Sequence, residues 1–168
     1  MPDAVLIAGA NGAGKTTLAR RLLPAAYPEA RFLNADEIQR EEGFSSPLAA
    51  GRELIARLNT VSEAGGSFAV ETTLSSTHYA RQFTAWRERG YWITVHYLEV
   101  VSADFAVTRV AKRVVAGGHD IPELDVRRRH ARGRVLFQEL YRPRADAWYH
   151  YRVDEQGAEL VESSQRAR

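Results

Sequence analysis

The clearest indication of the fold is the stretch VLIAGANGAGKTTLARRLL, residues Val5–Leu23. Apolar residues lead into a glycine-rich loop that matches the pattern G-x-x-x-x-G-K-[ST], in which the fixed positions are Gly9, Gly14, Lys15 and Thr16. The β-branched run before the loop indicates a buried strand, and leucines four residues apart after it indicate a helix. A strand, this loop and a helix in succession predict a P-loop for a nucleoside triphosphate.

The glycines of the loop let the backbone turn tightly, so that successive N–H groups face one concavity at the start of a helix. We expect Lys15 to reach the β- and γ-phosphates of ATP and the Thr16 hydroxyl to ligate Mg²⁺. Lysine is rare here, with only Lys15 and Lys112 against 21 arginines, which favours a phosphate role for Lys15. The residues predicted to hold ATP in this loop are Gly9, Asn11, Gly12, Ala13, Gly14, Lys15, Thr16 and Thr17.

The composition indicates one globular domain. The chain has 168 residues, a net charge of only +2 and no cysteine, which excludes disulfides, zinc–thiolate sites and thiol catalysis. No apolar stretch approaches the roughly 20 residues that span a bilayer, and the N-terminus lacks a signal-peptide pattern. We therefore expect a cytoplasmic protein without a membrane partner.

Strand patterns alternate with helix patterns along the chain. The predicted strands lie at 5–7, 32–33, in SFAVETT, in YWITVHYL and in WYHYRV, and Gly157 is expected to turn the chain toward 159–161. Ser46 followed by Pro47, Thr77 and Ser102 are predicted to begin three of the helices. This alternation predicts an α/β P-loop NTPase of the nucleotide-kinase type, with three αβα layers and a mostly parallel sheet. We expect a single domain at 1–162, with a lid-like segment at about 113–134 and a tail at 163–168.

Polar residues follow the predicted strands, and ligands of parallel sheets bind at the carboxyl ends of their strands. Asp36 lies just past the second strand, where its carboxylate would accept a proton from an attacking hydroxyl or orient it. The alternative is that Asp36 caps a helix beginning at Glu37.

A second acidic position, Glu71, ends the strand FAVE. It is expected to contact a Mg²⁺-bound water or a substrate hydroxyl, the alternative being a salt bridge at the sheet edge. The hydroxyls of Thr72, Thr73 and Ser75 are either substrate contacts or turn residues.

Five arginines fall within residues 127–134, and Arg109 and Arg113 lie one predicted helix earlier. We predict that Arg128 and Arg129 act on the transferring phosphate and that Arg113 contacts ATP, although arginines on opposite sides of one helix cannot all reach one phosphate. A nucleic-acid patch is the rival interpretation, but no aromatic residues alternate with these arginines to stack bases. Gly117 and Gly118 suggest a hinge, and His119 is either a phosphate contact or a helix cap.

The chain lacks the additional motifs that define two other classes of P-loop protein. A GTP switch needs N-K-x-D to select its base, and a transporter ATPase needs L-S-G-G-Q; neither stretch is present. A kinase needs a carboxylate near the acceptor and arginines over the phosphate, and both are available.

These features together resemble the zeta-toxin group of P-loop kinases, in particular its short members described as predicted ABC-type ATPases. The matching stretches cover residues 5 to about 130: AGANGAGKTTLA, FLNADEI, AGRELI, FAVETTLS, GYWITVHYLEV, RVAKRVVAGGHDIPE and RRRH.

The resemblance implies a kinase that uses ATP and Mg²⁺, and its better-known toxins phosphorylate the 3′-hydroxyl of UDP-N-acetylglucosamine. In this sequence Asp36 then matches the catalytic base, Glu71 an acid that contacts substrate, and Lys15 with the lid arginines a phosphate clamp. Substrate contacts are expected at Asp36, Glu71, Thr72, Thr73 and His119.

The favoured acceptor is therefore UDP-N-acetylglucosamine or a similar nucleotide sugar, with an antitoxin-like protein as a further expected partner. The alternatives are a nucleoside, metabolite or polynucleotide-end kinase, and a non-catalytic regulatory module that binds ATP.

Overall fold

A computed structural model describes residues 1–118 and 120–167. The strands within these residues are Asp3–Gly9 (β1), Arg31–Leu33 (β2), Phe68–Thr72 (β3), Trp92–Val100 (β4), Ala147–Asp154 (β5) and Gly157–Gln165 (β6). The α-helices there are Lys15–Ala26 (α1), Ala35–Glu42 (α2), Pro47–Glu63 (α3), His78–Glu88 (α4), Ala103–Val115 (α5) and Glu123–Leu136 (α6). A π-helical turn, Phe137–Tyr141, follows α6.

In the described part of the chain the strands form one sheet in the order β2-β3-β1-β4-β5-β6. The first five strands are parallel, and β6 pairs antiparallel with β5 through a hairpin. The strands β3 and β4 flank β1 on either side, so the loop after β1 lies at the middle of the carboxyl edge. The predicted α/β fold with a mostly parallel sheet is confirmed.

Apolar residues cover both faces of the sheet, because parallel strands are buried on both sides. One cluster joins Leu6 of β1 to Leu58 of α3 and Trp86 of α4. The other joins Ile7 of β1 to Val110 of α5 and to residues of α1. Alternate residues of β1 therefore enter opposite layers, which gives the three-layer αβα arrangement.

Two of the three predicted helix starts carry side-chain caps. The Ser46 Oγ accepts from the Leu48 N–H at 3.2 Å ahead of α3, and the Ser102 Oγ accepts from the Phe105 N–H at 3.0 Å ahead of α5. Thr77 precedes α4 but makes no such bond with its side chain. Serine caps supply acceptors for backbone N–H groups that have no partner within the helix.

Two boundaries differ from the sequence prediction. The helical pattern of the arginine-rich sequence predicts one helix from about Asp125 to Tyr141, but the helix is regular only over Glu123–Leu136, after which its last turn widens into the π-helical segment. Strand β6 runs through Gln165 and sets Ser163 opposite Tyr149, so the end of the chain is paired where an unstructured tail was expected from 163. Pairing with β5 extends this far because the ladder resumes at Glu162 after a register shift between His150 and Tyr151.

The segment expected to be lid-like contains α6, whose Val126 is fully buried in the core. His119 lies outside the described residues. Among those residues no helix is long and apolar enough to cross a membrane.

Candidate active site

The loop between β1 and α1 turns so tightly that glycine is required. Gly9 has φ of +148°, and a Cβ added there would lie 2.5 Å from the backbone oxygen of Leu98. Gly14, immediately before α1, has φ of +90°, in the region that side chains with a Cβ avoid. Within the loop the Ala13 N–H donates to the backbone oxygen of Ala10 at 3.1 Å, and the N–H groups of the first turn of α1, which have no partner within the helix, point toward the site of an anion.

Lys15 is held inside this loop, and its side chain is only 8% exposed. Its Nζ donates to the backbone oxygen of Ala10 at 3.0 Å and lies 3.9 Å from Oε1 of Glu71. Burial lowers the pKa of Lys15, the carboxylates of Glu71 and Asp36 oppose this shift, and Arg113 and Arg129 add to it. A group of positive charges thus surrounds the loop, which suits a polyphosphate.

Glu71 connects the ends of three strands. Its Oε2 accepts from the Thr16 hydroxyl at 2.8 Å and from Nδ2 of Asn34 at 2.7 Å, while its Oε1 faces Lys15. The predicted metal residue Thr16 therefore lies against the carboxylate of Glu71, on the buried side of the loop. Glu71 therefore contacts the P-loop and the residue that follows β2. A salt bridge at the sheet edge would have joined it to a single cation only.

Asn34 is the residue that caps α2. Its Oδ1 accepts from the backbone N–H of Asp36 at 2.8 Å and from that of Glu37 at 3.3 Å. The alternative in which Asp36 caps the helix is therefore wrong. The carboxylate of Asp36 is exposed, and within the described residues it makes no hydrogen bond or ion pair. It remains available at the rim of the cleft.

A cleft of about 490 Å³ opens in front of Lys15 and Glu71, between the P-loop, α3 and the segment after β3. We name residues 72–76, which form that segment, the acceptor loop. The Thr72 Oγ1 accepts from the Leu74 N–H at 3.0 Å, and the hydroxyls of Thr73 and Ser75 lie 2.9 Å apart. Both threonines line the cleft while their hydroxyls also hold the turn.

The arginines divide between the cleft and solvent. Arg113 and Arg129 line the cleft, and Nη1 of Arg129 donates to Oδ1 of the P-loop residue Asn11 at 3.1 Å. Arg128 has a side chain 68% exposed and pairs with Asp125 at 2.7 Å, outside the cleft. The helix α6 therefore brings one of the two predicted catalytic arginines to the site and turns the other away.

A second cavity of about 430 Å³ lies on the opposite side of the P-loop. Its lining includes Leu18 and Leu22 of α1, Arg109 of α5, Tyr151 of β5 and Ala158 of β6. The guanidinium carbon of Arg109 lies 5.6 Å from the ring centroid of Phe105. Arg109 thus stands beside Gly14, at the entrance to an apolar hollow.

Three further residues belong to the site beyond those predicted from the sequence: Asn34, Arg109 and Tyr151. Asn34 had a usable signal, because it directly follows β2 and precedes Asp36 by two positions. Arg109 and Tyr151 had none, since they come together only where α1, α5 and β5 line the same cavity.

Comparisons with known proteins bear on this arrangement. No protein-family model matches the sequence. An uncharacterized protein of Haemophilus influenzae is 26% identical over 131 residues, which cover 76% of this chain and 91% of that protein.

Two solved structures share the fold. A chain of the PezAT chromosomal toxin–antitoxin system of Streptococcus pneumoniae superposes with a TM-score of 0.66 at 18% identity, over all of this chain and 74% of that one. A chain of the AvrRxo1-ORF1:-ORF2 complex with ATP superposes with a TM-score of 0.74 at 18% identity, over 98% of this chain and 59% of that one. The present chain therefore shares its fold with these two chains, an α/β fold with a P-loop after the first strand, as its sequence motifs predicted.

Proposed function

We propose that the protein is a kinase that transfers the γ-phosphoryl group of ATP to a hydroxyl of a small molecule, with a nucleotide sugar such as UDP-N-acetylglucosamine as the favoured acceptor. One observation carries the proposal: the exposed carboxylate of Asp36 faces the same cleft as Lys15 and Glu71. A phosphate-binding loop beside an open cavity and an uncommitted carboxylate is the arrangement that phosphoryl transfer to a hydroxyl requires.

The P-loop is proposed to bind the phosphates of ATP, and the cavity beside Arg109 is proposed to bind the adenine. Leucines on α1 and the ring of Tyr151 offer apolar surface to a base, and the Arg109 guanidinium can lie over its face. The Thr16 hydroxyl, supported by Glu71, fits a Mg²⁺ ion. When bound, the ion would neutralise charge on the β- and γ-phosphates.

Asp36 is proposed to orient the acceptor hydroxyl and to take its proton. As the new bond from the hydroxyl oxygen to the γ-phosphorus forms, the bond between that phosphorus and the β–γ bridging oxygen breaks, and ADP leaves. Lys15 and Arg129 offset the negative charge spread over the transferring group, because both are fixed beside the loop before reaction. Arg113 lies close enough to contribute to the same field.

The acceptor is proposed to occupy the cleft between α3 and the acceptor loop. This cleft combines apolar side chains of α3, such as Leu54 and Ile55, with hydroxyls and with Arg52. Such a lining suits a polar molecule that has a sugar and an anionic part. The nucleotide-sugar assignment is further supported by the resemblance of the motifs at Asp36 and Glu71 to those of zeta toxins.

An antitoxin-like protein partner is part of the proposal. Its support comes from the two solved structures above, since PezAT is a chromosomal toxin–antitoxin system and AvrRxo1-ORF1 is in a complex with ORF2.

Mass spectrometry tests the proposal directly. The purified protein is incubated with ATP, Mg²⁺ and a panel that contains UDP-N-acetylglucosamine, other nucleotide sugars, nucleosides and a 5′-hydroxyl oligonucleotide. We expect ADP and a nucleotide sugar that has gained one phosphoryl group, with no product from the variant Lys15→Ala. Phosphorylation of a nucleoside or an oligonucleotide instead would reassign the acceptor, and ATP binding without any transfer would leave only the regulatory module.

A further inference from the structure

Helix α6 lies directly on the acceptor loop at one glycine. Gly133 is buried, and a Cβ added to it would lie 2.9 Å from the backbone oxygen of Thr73. We propose that Gly133 is a positioning residue: because it has no side chain, α6 can pack closely against the acceptor loop, and Arg129 then reaches the cleft. This inference rests on the proposed function, because it assigns to Arg129 a contact with the transferring phosphate.

The acceptor loop cannot readily move away from such a contact. Leu74 adopts φ of +56°, an unusual value for a residue with a side chain, and that side chain is only 1% exposed. The Leu74 N–H also donates to Oγ1 of Thr72. Because Leu74 is fixed by its packing and by this bond, the carbonyl of Thr73 that precedes it has little freedom to rotate.

The flank of α6 next to Gly133 contacts the end of β4. Arg134 pairs with Oε1 of Glu99 at 3.0 Å, and a ring nitrogen of His130 lies 3.3 Å from the backbone oxygen of Val100. The other oxygen of Glu99 is bonded to His150 at 2.8 Å. The helix is thus held by contacts both with the acceptor loop and with the end of β4, and these two sets of contacts together determine its orientation.

Arg129 precedes Gly133 by four residues and therefore lies on the same face of α6. That face brings the Nη1 of Arg129 to 3.1 Å from Asn11 in the P-loop. A side chain at 133 would force α6 away from Thr73, and Arg129 would move with the helix. Glycine is a poor residue for a helix interior, so its presence here is explained by the close approach that it permits.

The substitution Gly133→Ala tests the role. We expect kcat to fall roughly 10-fold to 100-fold, because a shift of about 1 Å in a phosphate contact has that effect. The Kd for ATP should change less than about twofold, since the rest of the P-loop is untouched. The matched control is Arg132→Ala, an exposed neighbour on α6 whose side chain makes no hydrogen bond or ion pair among the described residues and which should retain the parent kcat.

A double-mutant cycle separates positioning from general damage to the fold. If Gly133 acts through Arg129, Gly133→Ala should have no further effect on kcat in an Arg129→Ala background. Multiplying losses would overturn the proposal, as would an unchanged kcat in the single variant. Arg134→Ala provides a second variant for the case in which Gly133→Ala does not fold, because the Arg134 side chain is 63% exposed. It should also lower kcat, and only while Arg129 is present.

A crystal structure of Gly133→Ala tests the positioning role without a measurement of activity. We expect the separation between Nη1 of Arg129 and Oδ1 of Asn11 to exceed its parent value of 3.1 Å by about 1 Å or more. An unchanged separation would overturn the positioning role even if the parent protein proved inactive. An absence of transfer by the parent protein, with the separation increased in the variant, would contradict the proposed function and leave the contact between helix and loop intact.

Discussion

The Thr16 hydroxyl donates a 2.8 Å hydrogen bond to Oε2 of Glu71, and this bond joins the P-loop to the end of β3. Nδ2 of Asn34 donates to the same oxygen and adds the end of β2. Three loops that are distant in sequence are thereby fixed around one carboxylate. The geometry of the nucleotide site and that of the acceptor cleft consequently depend on each other through Glu71.

The variant Glu71→Gln should lose both stability and transfer. An amide has one acceptor oxygen for the Thr16 and Asn34 donors, and its NH₂ group leaves the buried Lys15 without a carboxylate partner. We expect the free energy of unfolding to fall by about 1–3 kcal/mol in urea titrations and kcat to fall at least about 10-fold. Glu63→Gln, at an exposed position of α3, is the control and should match the parent protein.

The role of Lys15 can be tested against a matched control, because the chain has one other lysine, Lys112. Lys15→Ala should abolish transfer and weaken ATP binding, since the loop keeps its backbone donors but loses the charge that offsets the phosphates. Lys112→Ala removes an equal charge from an exposed position of α5 and should leave both properties unchanged. Calorimetric ATP titration and ADP release measure the two effects. Near-parent turnover by Lys15→Ala would refute the assignment of the P-loop.

Arg128 and Arg129 are adjacent in sequence, but they differ in position. Arg129→Ala should lower kcat by about 10³-fold, the lower end of the range for arginine fingers, because Arg113 also lines the cleft. Arg128→Ala should change kcat little, since its side chain pairs with Asp125 outside the cleft. Steady-state kinetics of the two variants measure this difference in kcat. Equal losses would indicate that α6 moves as a whole during turnover.

Much of this fold was predictable because local patterns agreed with the global structure. The P-loop, the alternation of strands and helices, and the helix start at Ser46 each rest on residues close together in sequence. The split between Arg128 and Arg129 does not, because it depends on how far α6 is rotated about its axis. The buried Gly133 and Val126 set that rotation through contacts with distant elements.

The hydrogen bonds of the candidate site were predictable only in part. A carboxylate after FAV was expected to need partners, but the pairing of Glu71 with Thr16 and Asn34 requires the sheet order β2-β3-β1. The cap of α2 shows the same limit: Asn34 and Asp36 are both good capping residues, and their relative preference depends on where the helix begins. A shift of two residues in that boundary changes Asp36 from a cap to an uncommitted carboxylate.

His96, in the middle of β4, makes stability depend on pH. Its ring nitrogens lie 3.1 Å from the hydroxyls of Tyr27 and Tyr151, its ring stacks on Tyr149, and burial lowers its pKa to about 3. The unfolded chain binds a proton at this residue below about pH 6.5, whereas in the folded chain His96 stays neutral down to about pH 3. The free energy of unfolding therefore falls as the pH decreases from about 6.5 toward 3.

Urea titrations at two pH values measure this contribution. Between pH 7 and pH 5.5 the parent protein should lose about 1 kcal/mol more unfolding free energy than His96→Gln. Glutamine can bond to both tyrosine hydroxyls and does not titrate, so it isolates the proton from the packing. Identical pH dependence in the two proteins would show that His96 does not control it.

Asp36→Asn tests the chemistry of the site with little disturbance of the fold. Asparagine has the same size, and the cap of α2 belongs to Asn34, so the melting temperature should change little. An amide cannot accept the proton of the acceptor hydroxyl, so kcat should fall by roughly 10²-fold to 10⁴-fold. The Kd for ATP should stay near the parent value, because the phosphates are proposed to bind at Gly12–Thr17.

The control for this variant is Glu37→Gln, which removes the neighbouring acid of α2. Glu37 lies 3.8 Å from the largely exposed Arg20 in an ion pair, and loss of this pair should leave kcat close to that of the parent protein. Transfer by Asp36→Asn at the parent rate would exclude Asp36 as the base. Loss of ATP affinity together with activity would instead assign its carboxylate to the magnesium shell, because only a residue in contact with the nucleotide complex changes both quantities.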